Sequence, residues 1–238
     1  MKATKGKYWI YGKHAVIAAL SNPRRQVFEL LITQPNHGLI KKSAVKFKIS
    51  NPDEISKQIK QNSAVHQGIA AYVSTIDQPL LSDVVEKCMK HPRSVILALD
   101  QITDPQNIGA IMRSAAAFSA DAIILPKHNS PDESASIAKT SSGALEILPL
   151  IHVSNLANSL TYLKKQGYWV IGLDGEAEAP ISEIKKYEKA VIVLGGEGSG
   201  MRKLTNELCD LTLRIPISPG IESLNVSNAA AIALFASL

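Results

Sequence analysis

The sequence predicts an α/β protein made of two parts, a small α/β unit at the amino end and a larger domain built on a mainly parallel sheet. From residue 93 onward, short apolar strands alternate with helical patterns, which is typical of a parallel sheet covered by helices on both faces. Residues 1–48 carry ten lysines and arginines against Glu29 alone, a net charge of +9, whereas the rest of the chain carries −4. The segment 76–79 has the composition of a junction between the two parts.

Composition places the chain among ordinary globular proteins, with 45% hydrophobic and 20% charged residues. No apolar run reaches the roughly 18 residues that a membrane helix needs, and the basic start leads into no apolar signal segment, so we expect a cytoplasmic protein. Cys88 and Cys209 are single and far apart, and we expect no structural metal. The predicted limits are 1–76 for the amino-terminal unit, 77–93 for a linker and 94–238 for the larger domain.

The amino-terminal unit is predicted to combine short helices with strands. One helix covers residues 14–20 and ends at Asn22-Pro23, and a second begins at Asn51-Pro52 and runs to about residue 61. A further short helix is expected over 82–90, on the linker. The predicted strands of the unit are 27–33, 45–49 and 68–75.

Aromatic residues are interleaved with the basic residues of this unit, namely Tyr8, Trp9 and Tyr11, with His14 close by. Lysines can neutralise phosphates while rings stack on unpaired bases, so the mixture points to nucleic acid, and to RNA in particular. The alternative is a solvated lysine face with Trp9 and Tyr11 packed inward.

The larger domain is predicted to contain six short apolar strands with helices between most of them. The clearest helix lies between Ser154 and Gly167, with Ser154 as an N-cap candidate and the glycine just past its end. The predicted strands are 95–99, 122–125, 147–153, 169–173, 191–194 and 211–215.

The first informative stretch of this domain follows the strand 95–99. A polar loop turns through Asp104-Pro105, and a helix begins near Asn107 with an apolar stripe that starts at Ile108. Arg113 lies about 140° around the helix from Ile108, off the buried stripe, and is free to face a ligand. The alternative is an exposed helix arginine, with Asn107 acting only as an N-cap.

The second informative stretch is the glycine-rich turn 195–200, which ends the apolar strand 191–194. Such a turn exposes backbone groups at the carboxyl end of a strand, where open α/β sheets bind ligands. The turn does not match the dinucleotide-binding fingerprint, because Met201 and Lys203 stand where a third glycine is needed. It does not match the P-loop either, because Met201-Arg202 stands where that motif has a lysine and a hydroxyl residue. The alternative is a turn that binds no ligand.

Three motifs in order resemble those of the SpoU/TrmH family of RNA ribose 2′-O-methyltransferases. They are D-P-x-N-x-G-x-x-x-R at 104–113, G-x-E-G-x-G at 195–200, and I-P at 215–216 followed by S-L-N-V-S at 223–227. The amino-terminal part also resembles that of bacterial 23S rRNA guanosine-2′-O-methyltransferases, through Y-G-K-H-A-V at 11–16 and H-Q-G at 66–68. The resemblance covers nearly the whole chain.

The resemblance implies an enzyme that uses S-adenosyl-L-methionine and works as a homodimer. It also implies a trefoil-knotted methyltransferase domain behind a ribosomal-protein-like RNA-binding domain. Carried over position by position, the family's catalytic and RNA-handling residues are Asn107, Arg113, Glu197, Ser223 and Asn225. Its cofactor contacts, largely backbone, are Leu194, Gly195, Ile215 and Leu224.

The expected reaction is methylation of a ribose 2′-hydroxyl in rRNA, with a guanosine of 23S rRNA as the target. Methyl transfer from a sulfonium is an in-line displacement, which needs alignment and charge stabilisation but no metal. Two alternatives stay open at this point: a tRNA ribose methyltransferase of the same family, and an RNA-binding protein without catalysis. The segment 223–238 carries no charged residue, which suggests a packed helix and a homodimer contact.

Overall fold

A computed structural model describes residues 6–40, 45–60, 65–196, 198 and 200–238. Its strands are β1 (Lys7–Tyr11), β2 (Val27–Ile32), β3 (Lys48–Ile49), β4 (Ile69–Ser74), β5 (Ser94–Leu99), β6 (Ala122–Pro126), β7 (Leu150–Val153), β8 (Trp169–Leu173), β9 (Lys189–Leu194) and β10 (Leu211–Leu213). Its α-helices are α1 (Lys13–Ser21), α2 (Pro52–Ile59), α3 (Leu81–Cys88), α4 (Pro105–Ala117), α5 (Ala135–Thr140), α6 (Leu156–Lys165), α7 (Lys203–Glu207) and α8 (Val226–Ala236). Short 3₁₀ helices lie at Gln34–Ile40, Ala144–Glu146 and Ile181–Lys186.

The chain packs into two compact units. The first consists of Met1–Asp77 together with Asp132–Ile147, and the second of Gln78–Pro131 together with Leu148–Leu238. The two units do not coincide with the continuous segments that the sequence predicted, because α5 and the turn after it pack with the amino-terminal residues. The limits 1–76, 77–93 and 94–238 stay a prediction.

The first unit is built on a four-stranded sheet in the order β1-β4-β2-β3. Strand β4 pairs antiparallel with β1 and with β2, whereas β2 and β3 are parallel. Helix α2 packs Ile55 and Ile59 against Leu31 and Ala70 of the sheet. The sequence prediction missed β1, and the strand predicted over 45–49 is reduced to its last two residues.

Arg25 is the ionic centre of the first unit, and its side chain is fully buried. The guanidinium contacts the carboxylates of Glu133 and Glu146, each at 2.5 Å, and it also donates to the backbone carbonyl of Ser74. Burial by itself lowers the pKa of Arg25, but the hydrogen bonds and charges of the two glutamates outweigh burial and raise it. This cluster fastens residues 132–147 to the amino-terminal strands.

The second unit is built on a six-stranded, wholly parallel sheet in the order β10-β8-β9-β5-β6-β7. One face packs against α3 and α6 through a cluster that includes Ile96, Ile124 and Val191. Helices α4 and α8 pack against each other and contact β6 and β9. The predicted α/β class with a mainly parallel sheet is therefore confirmed, and the trefoil knot stays a prediction.

The helix and strand ends differ from the sequence prediction in several places. Helix α6 is capped by Asn155, whose side chain accepts from the N–H of Asn158, so Ser154 as the N-cap is wrong. Strand β10 stops at Leu213, because the next residue, Arg214, bridges to Pro180 instead. Among the residues that the structure describes, none of the helices has both the length and the apolar character for spanning a bilayer.

Candidate active site

A cavity of about 370 Å³ lies at the carboxyl edge of the parallel sheet in the second unit. Three of the residues that line it, Leu173, Leu194 and Leu213, are the last residues of β8, β9 and β10. Because the strands are parallel, these ends meet at one edge, where open α/β sheets place their ligand sites. The topology of the sheet thus positions the cavity.

The glycine-rich turn after β9 forms one wall of this cavity. Gly196 and Gly200 each donate a backbone N–H to the other's carbonyl, at 3.1 and 2.9 Å, so the turn folds back on itself. A Cβ atom at Gly195 would lie 2.2 Å from the carbonyl carbon of Gly200, and one at Gly196 would lie 2.5 Å from the carbonyl oxygen of Gln101. Glycine is required at both positions because a larger residue would collide with backbone.

An ion pair between a buried aspartate and an exposed arginine holds the end of the glycine-rich turn. The Asp100 carboxylate directly follows β5 and is fully buried. It accepts the backbone N–H of Arg202 at 2.9 Å and the Arg202 Nε at 2.7 Å, and Arg202 Nη2 lies 2.7 Å from the same carboxylate. The sequence reasoning missed this pair, although a lone aspartate at the end of an apolar strand could have suggested it.

The cavity lining combines apolar side chains with carboxylates. Ile215, Leu224 and Val226 contribute apolar surface, and the acidic residues are Asp174, Glu176 and Glu222. Among the described residues that line it, none is a lysine, arginine or histidine. This set fits a ligand that joins an aromatic base to a positive charge, as S-adenosyl-L-methionine does.

Five of the residues singled out from the sequence meet at this one cavity. They are Leu194, Gly195, Ile215, Ser223 and Leu224. They come from the end of β9 and from the segment between β10 and α8, so the second and third motifs share one site. Their individual roles toward a cofactor or substrate stay a prediction.

Asn107 and Asn225 connect the first motif to the third. The Asn225 side-chain amide donates to Asn107 Oδ1 at 3.1 Å, and Asn225 caps α8 by accepting from the N–H and the hydroxyl of Ser227. Helix α4 starts at Pro105 and is capped by Asp104, which excludes Asn107 as the N-cap. The hydrogen bond between the Asn107 and Asn225 side chains thus links the two motifs.

Arg113 is exposed on α4, as its position off the apolar stripe predicted. It is not among the described residues that line the cavity. Glu197 lies outside the described residues, so its predicted role stays a prediction. In the described parts of the chain, no group of three or more His, Cys, Asp or Glu side chains could hold a metal ion.

The aromatic residues of the first unit divide into buried and accessible ones. Tyr11 is buried, and the Tyr8 hydroxyl donates to Glu133 at 2.6 Å. Burial and the adjacent Glu133 carboxylate raise the pKa of Tyr8. Trp9 is half-buried and packs on Tyr72 with ring centroids 5.3 Å apart, and Tyr72 also contacts the exposed Phe28 at 6.0 Å.

Comparison with known protein families matches both parts of the chain. The sequence model described as "SpoU rRNA Methylase family" matches residues 94–235. A second family, described as "RNA 2'-O ribose methyltransferase substrate binding", matches residues 9–79.

The chain is also similar to individual proteins over nearly its full length. It is 36% identical to the 23S rRNA (guanosine-2'-O-)-methyltransferase RlmB of Pseudomonas aeruginosa, over 95% of this chain and 94% of that protein. It is 39% identical to RlmB of Xylella fastidiosa, over 97% and 96% of the two chains. The SpoU methyltransferase AviRb of Streptomyces viridochromogenes, solved in complex with the cofactor AdoMet, has the same fold, with a TM-score of 0.80, 20% identity, and coverage of 98% of this chain and 89% of that one. The chain thus belongs to the SpoU rRNA methylase family.

Proposed function

We propose that the protein transfers a methyl group from S-adenosyl-L-methionine to a ribose 2′-hydroxyl of rRNA, and that the target is a guanosine of 23S rRNA. The observation that carries the proposal is the cavity at the carboxyl edge, where the second and third motifs meet and the lining is apolar and acidic. The substrate is supported by the near full-length similarity to proteins named as 23S rRNA (guanosine-2'-O-)-methyltransferases.

Leu194, Gly195, Ile215 and Leu224 are the residues that would hold the cofactor. Backbone groups at the end of β9 can read the edge of an adenine, and the side chains of Ile215 and Leu224 can pack against its faces. The carboxylates that line the cavity favour a ligand with positive charge. When bound there, the cofactor supplies an electrophilic methyl group.

The catalytic set would be Asn107, Arg113, Glu197, Ser223 and Asn225. The hydrogen bond between Asn107 and Asn225 holds two polar side chains close to the wall that contains Ser223, where they can align a ribose hydroxyl. Arg113 is a permanent cation with a forked set of donors, suited to stabilising charge on the 2′-oxygen or to clamping a phosphate. Glu197 would orient Arg113 or a ribose hydroxyl.

The first unit would bind the RNA substrate. Its accessible rings, Trp9, Tyr72 and Phe28, form a continuous group on the sheet, and the ammonium of Lys7 lies 4.2 Å from the centre of the Phe28 ring. Rings can stack on unpaired bases while lysines neutralise phosphates. The match of residues 9–79 to a substrate-binding family supports this role.

The protein would act as a knotted homodimer in the cytoplasm, where its proposed rRNA substrate is found. Helix α8 contains no charged residue, yet it leaves Ile232 and Phe235 exposed, with Leu238 just beyond its end. Phe235 also contacts Phe118, which follows α4. An uncharged surface of this kind is suited to contact with a second copy of the chain.

The test is incubation of the purified protein with labelled S-adenosyl-L-methionine and either unmodified 23S rRNA or tRNA, followed by mapping of the methylated nucleotide. The proposal expects a single 2′-O-methylated guanosine in 23S rRNA. Methylation of tRNA alone would overturn the substrate. Failure to bind the cofactor by calorimetry would overturn the enzyme class and leave an RNA-binding protein.

A further inference from the structure

A second cavity lies at the same carboxyl edge of the parallel sheet, beside β6 and β7. Its volume is about 230 Å³, and its walls include Pro126 at the end of β6, the following His128, and Ser154 just after β7. The opposite wall contains Arg202 and Leu204, from the end of the glycine-rich turn and the start of α7. None of the residues that line this cavity belongs to the three motifs that define the proposed active site.

The second cavity differs from the first in the charged residues that line it. Its lining includes Arg202 and His128, and no aspartate or glutamate is among the described residues that line it. The first cavity is lined by Asp174, Glu176 and Glu222. The first cavity is therefore suited to a ligand with positive charge. The second presents the guanidinium of Arg202, whose charge is balanced by Asp100 but whose remaining N–H groups can still donate to an anionic oxygen.

Arg202 is a cation held in place at the wall of the second cavity. Its Nε and Nη2 lie 2.7 Å from Asp100 Oδ1, and its backbone N–H is bound by the same carboxylate. The arginine side chain is nevertheless 50% exposed, whereas Asp100 is fully buried. A guanidinium fixed in this way loses little side-chain freedom when it meets a ligand oxygen, which favours binding.

Neutral hydrogen-bonding groups complete the lining of this cavity. Asn129, Ser154 and Asn155 add amide and hydroxyl groups, and Thr205 adds another hydroxyl beside Arg202. An arginine surrounded by such groups is the typical protein environment for phosphate oxygens.

We propose that the second cavity binds a backbone phosphate of the RNA substrate. The inference rests on the proposed function for the identity of the ligand, and it adds a binding site that none of the motif residues provides. Strand β5 lies between the strands that carry the two cavities, and the Asp100–Arg202 pair at its end connects them. A phosphate held by Arg202 would place the RNA chain along the sheet edge toward the cofactor cavity.

The test places negative charge in the cavity without touching the Asp100–Arg202 pair. In the full-length protein, His128→Glu and Ser154→Asp should each weaken binding to a 23S rRNA fragment on the order of tenfold and make its salt dependence shallower, because a phosphate contact is lost. The affinity for S-adenosyl-L-methionine, measured by calorimetry, should stay unchanged.

Asn206→Asp is the matched control, because it changes the charge by the same −1, Asn206 is exposed on α7, and it is not among the residues that line the cavity. The proposal is overturned if the two cavity variants bind RNA no more weakly than this control. It is also overturned if inorganic phosphate raises the unfolding temperature of the wild type but not of the cavity variants, while all of these proteins bind the RNA fragment with equal affinity. That result would mean that the cavity binds a free anion and not the RNA. This test measures RNA binding and not methylation. A wild-type protein that binds the RNA fragment but methylates no RNA would therefore refute only the proposed function.

Discussion

Arg202 and Asp100 are 102 residues apart in the chain, yet the arginine donates both its backbone N–H and its guanidinium to the buried aspartate. The pair joins the end of β5, which precedes the first motif, to the end of the glycine-rich turn, which is the second motif. It therefore determines where the turn lies relative to the sheet edge.

Replacing Arg202 by alanine should loosen the glycine-rich turn and leave the Asp100 carboxylate with only the backbone N–H of residue 202. The loss of hydrogen bonds to a buried charge should lower the free energy of unfolding by about 1.5–3 kcal/mol, and cofactor affinity should fall with it. Denaturant unfolding and calorimetry measure the two effects. Lys203→Ala should change neither, and a similar loss in that control would contradict the explanation.

Replacing Gly195 by alanine should abolish cofactor binding. Its Cβ would lie 2.2 Å from the backbone of Gly200, so the turn would have to open. Gly175 provides the control, because it lines the same cavity and a Cβ there meets nothing within 4 Å. Calorimetric titration with S-adenosyl-L-methionine should therefore separate Gly195→Ala from Gly175→Ala, and equal affinities would argue against a cofactor site at the turn.

Arg113→Ala should lower the rate of methylation on the order of 10²-fold, typical of losing one preorganised donor. Arg113→Lys should keep part of the activity because it retains the positive charge. Single-turnover methylation with saturating RNA and cofactor is the measurement, and cofactor affinity should barely change. If both variants are equally inactive while binding RNA and cofactor normally, charge alone is not the role of Arg113.

Arg25→Met should destabilise the first unit by about 3–5 kcal/mol, because Glu133 and Glu146 would stay buried without their counter-ion. Arg24→Met is the control, since Arg24 is exposed and its guanidinium donates to the backbone carbonyl of Glu146, not to a carboxylate. Denaturant unfolding of the full-length protein compares the two.

Phe235→Glu should convert the proposed homodimer into a monomer, because it places a charge in the uncharged exposed surface of α8. Ile221→Glu changes another exposed apolar residue, outside α8, and should leave the dimer intact. Light scattering at micromolar concentration distinguishes the two states. A wild-type protein that is already monomeric would refute the dimer.

The aromatic strand β1 shows where local sequence patterns stop being informative. Lys7–Tyr11 lacks a clear alternation of polar and apolar residues, and it becomes a strand because β4, about 60 residues further along, pairs with it. The same holds for α5, which lies between strands of the larger domain in sequence but packs with β1 and α1 of the first unit. The flanking Glu133 and Glu146 pair with Arg25 of that unit.

The sequence by itself determined the α/β class, the position of all six parallel strands and the motif residues, because apolar runs bounded by turn residues are local signals. Only the tertiary structure decided that Asp100 meets Arg202, that Asn107 meets Asn225, and that a second cavity lined by Arg202 lies at the same sheet edge as the acidic one. The two side-chain contacts join residues more than 100 positions apart. The periodicity of a sequence carries no information about which distant side chains the sheet order brings together.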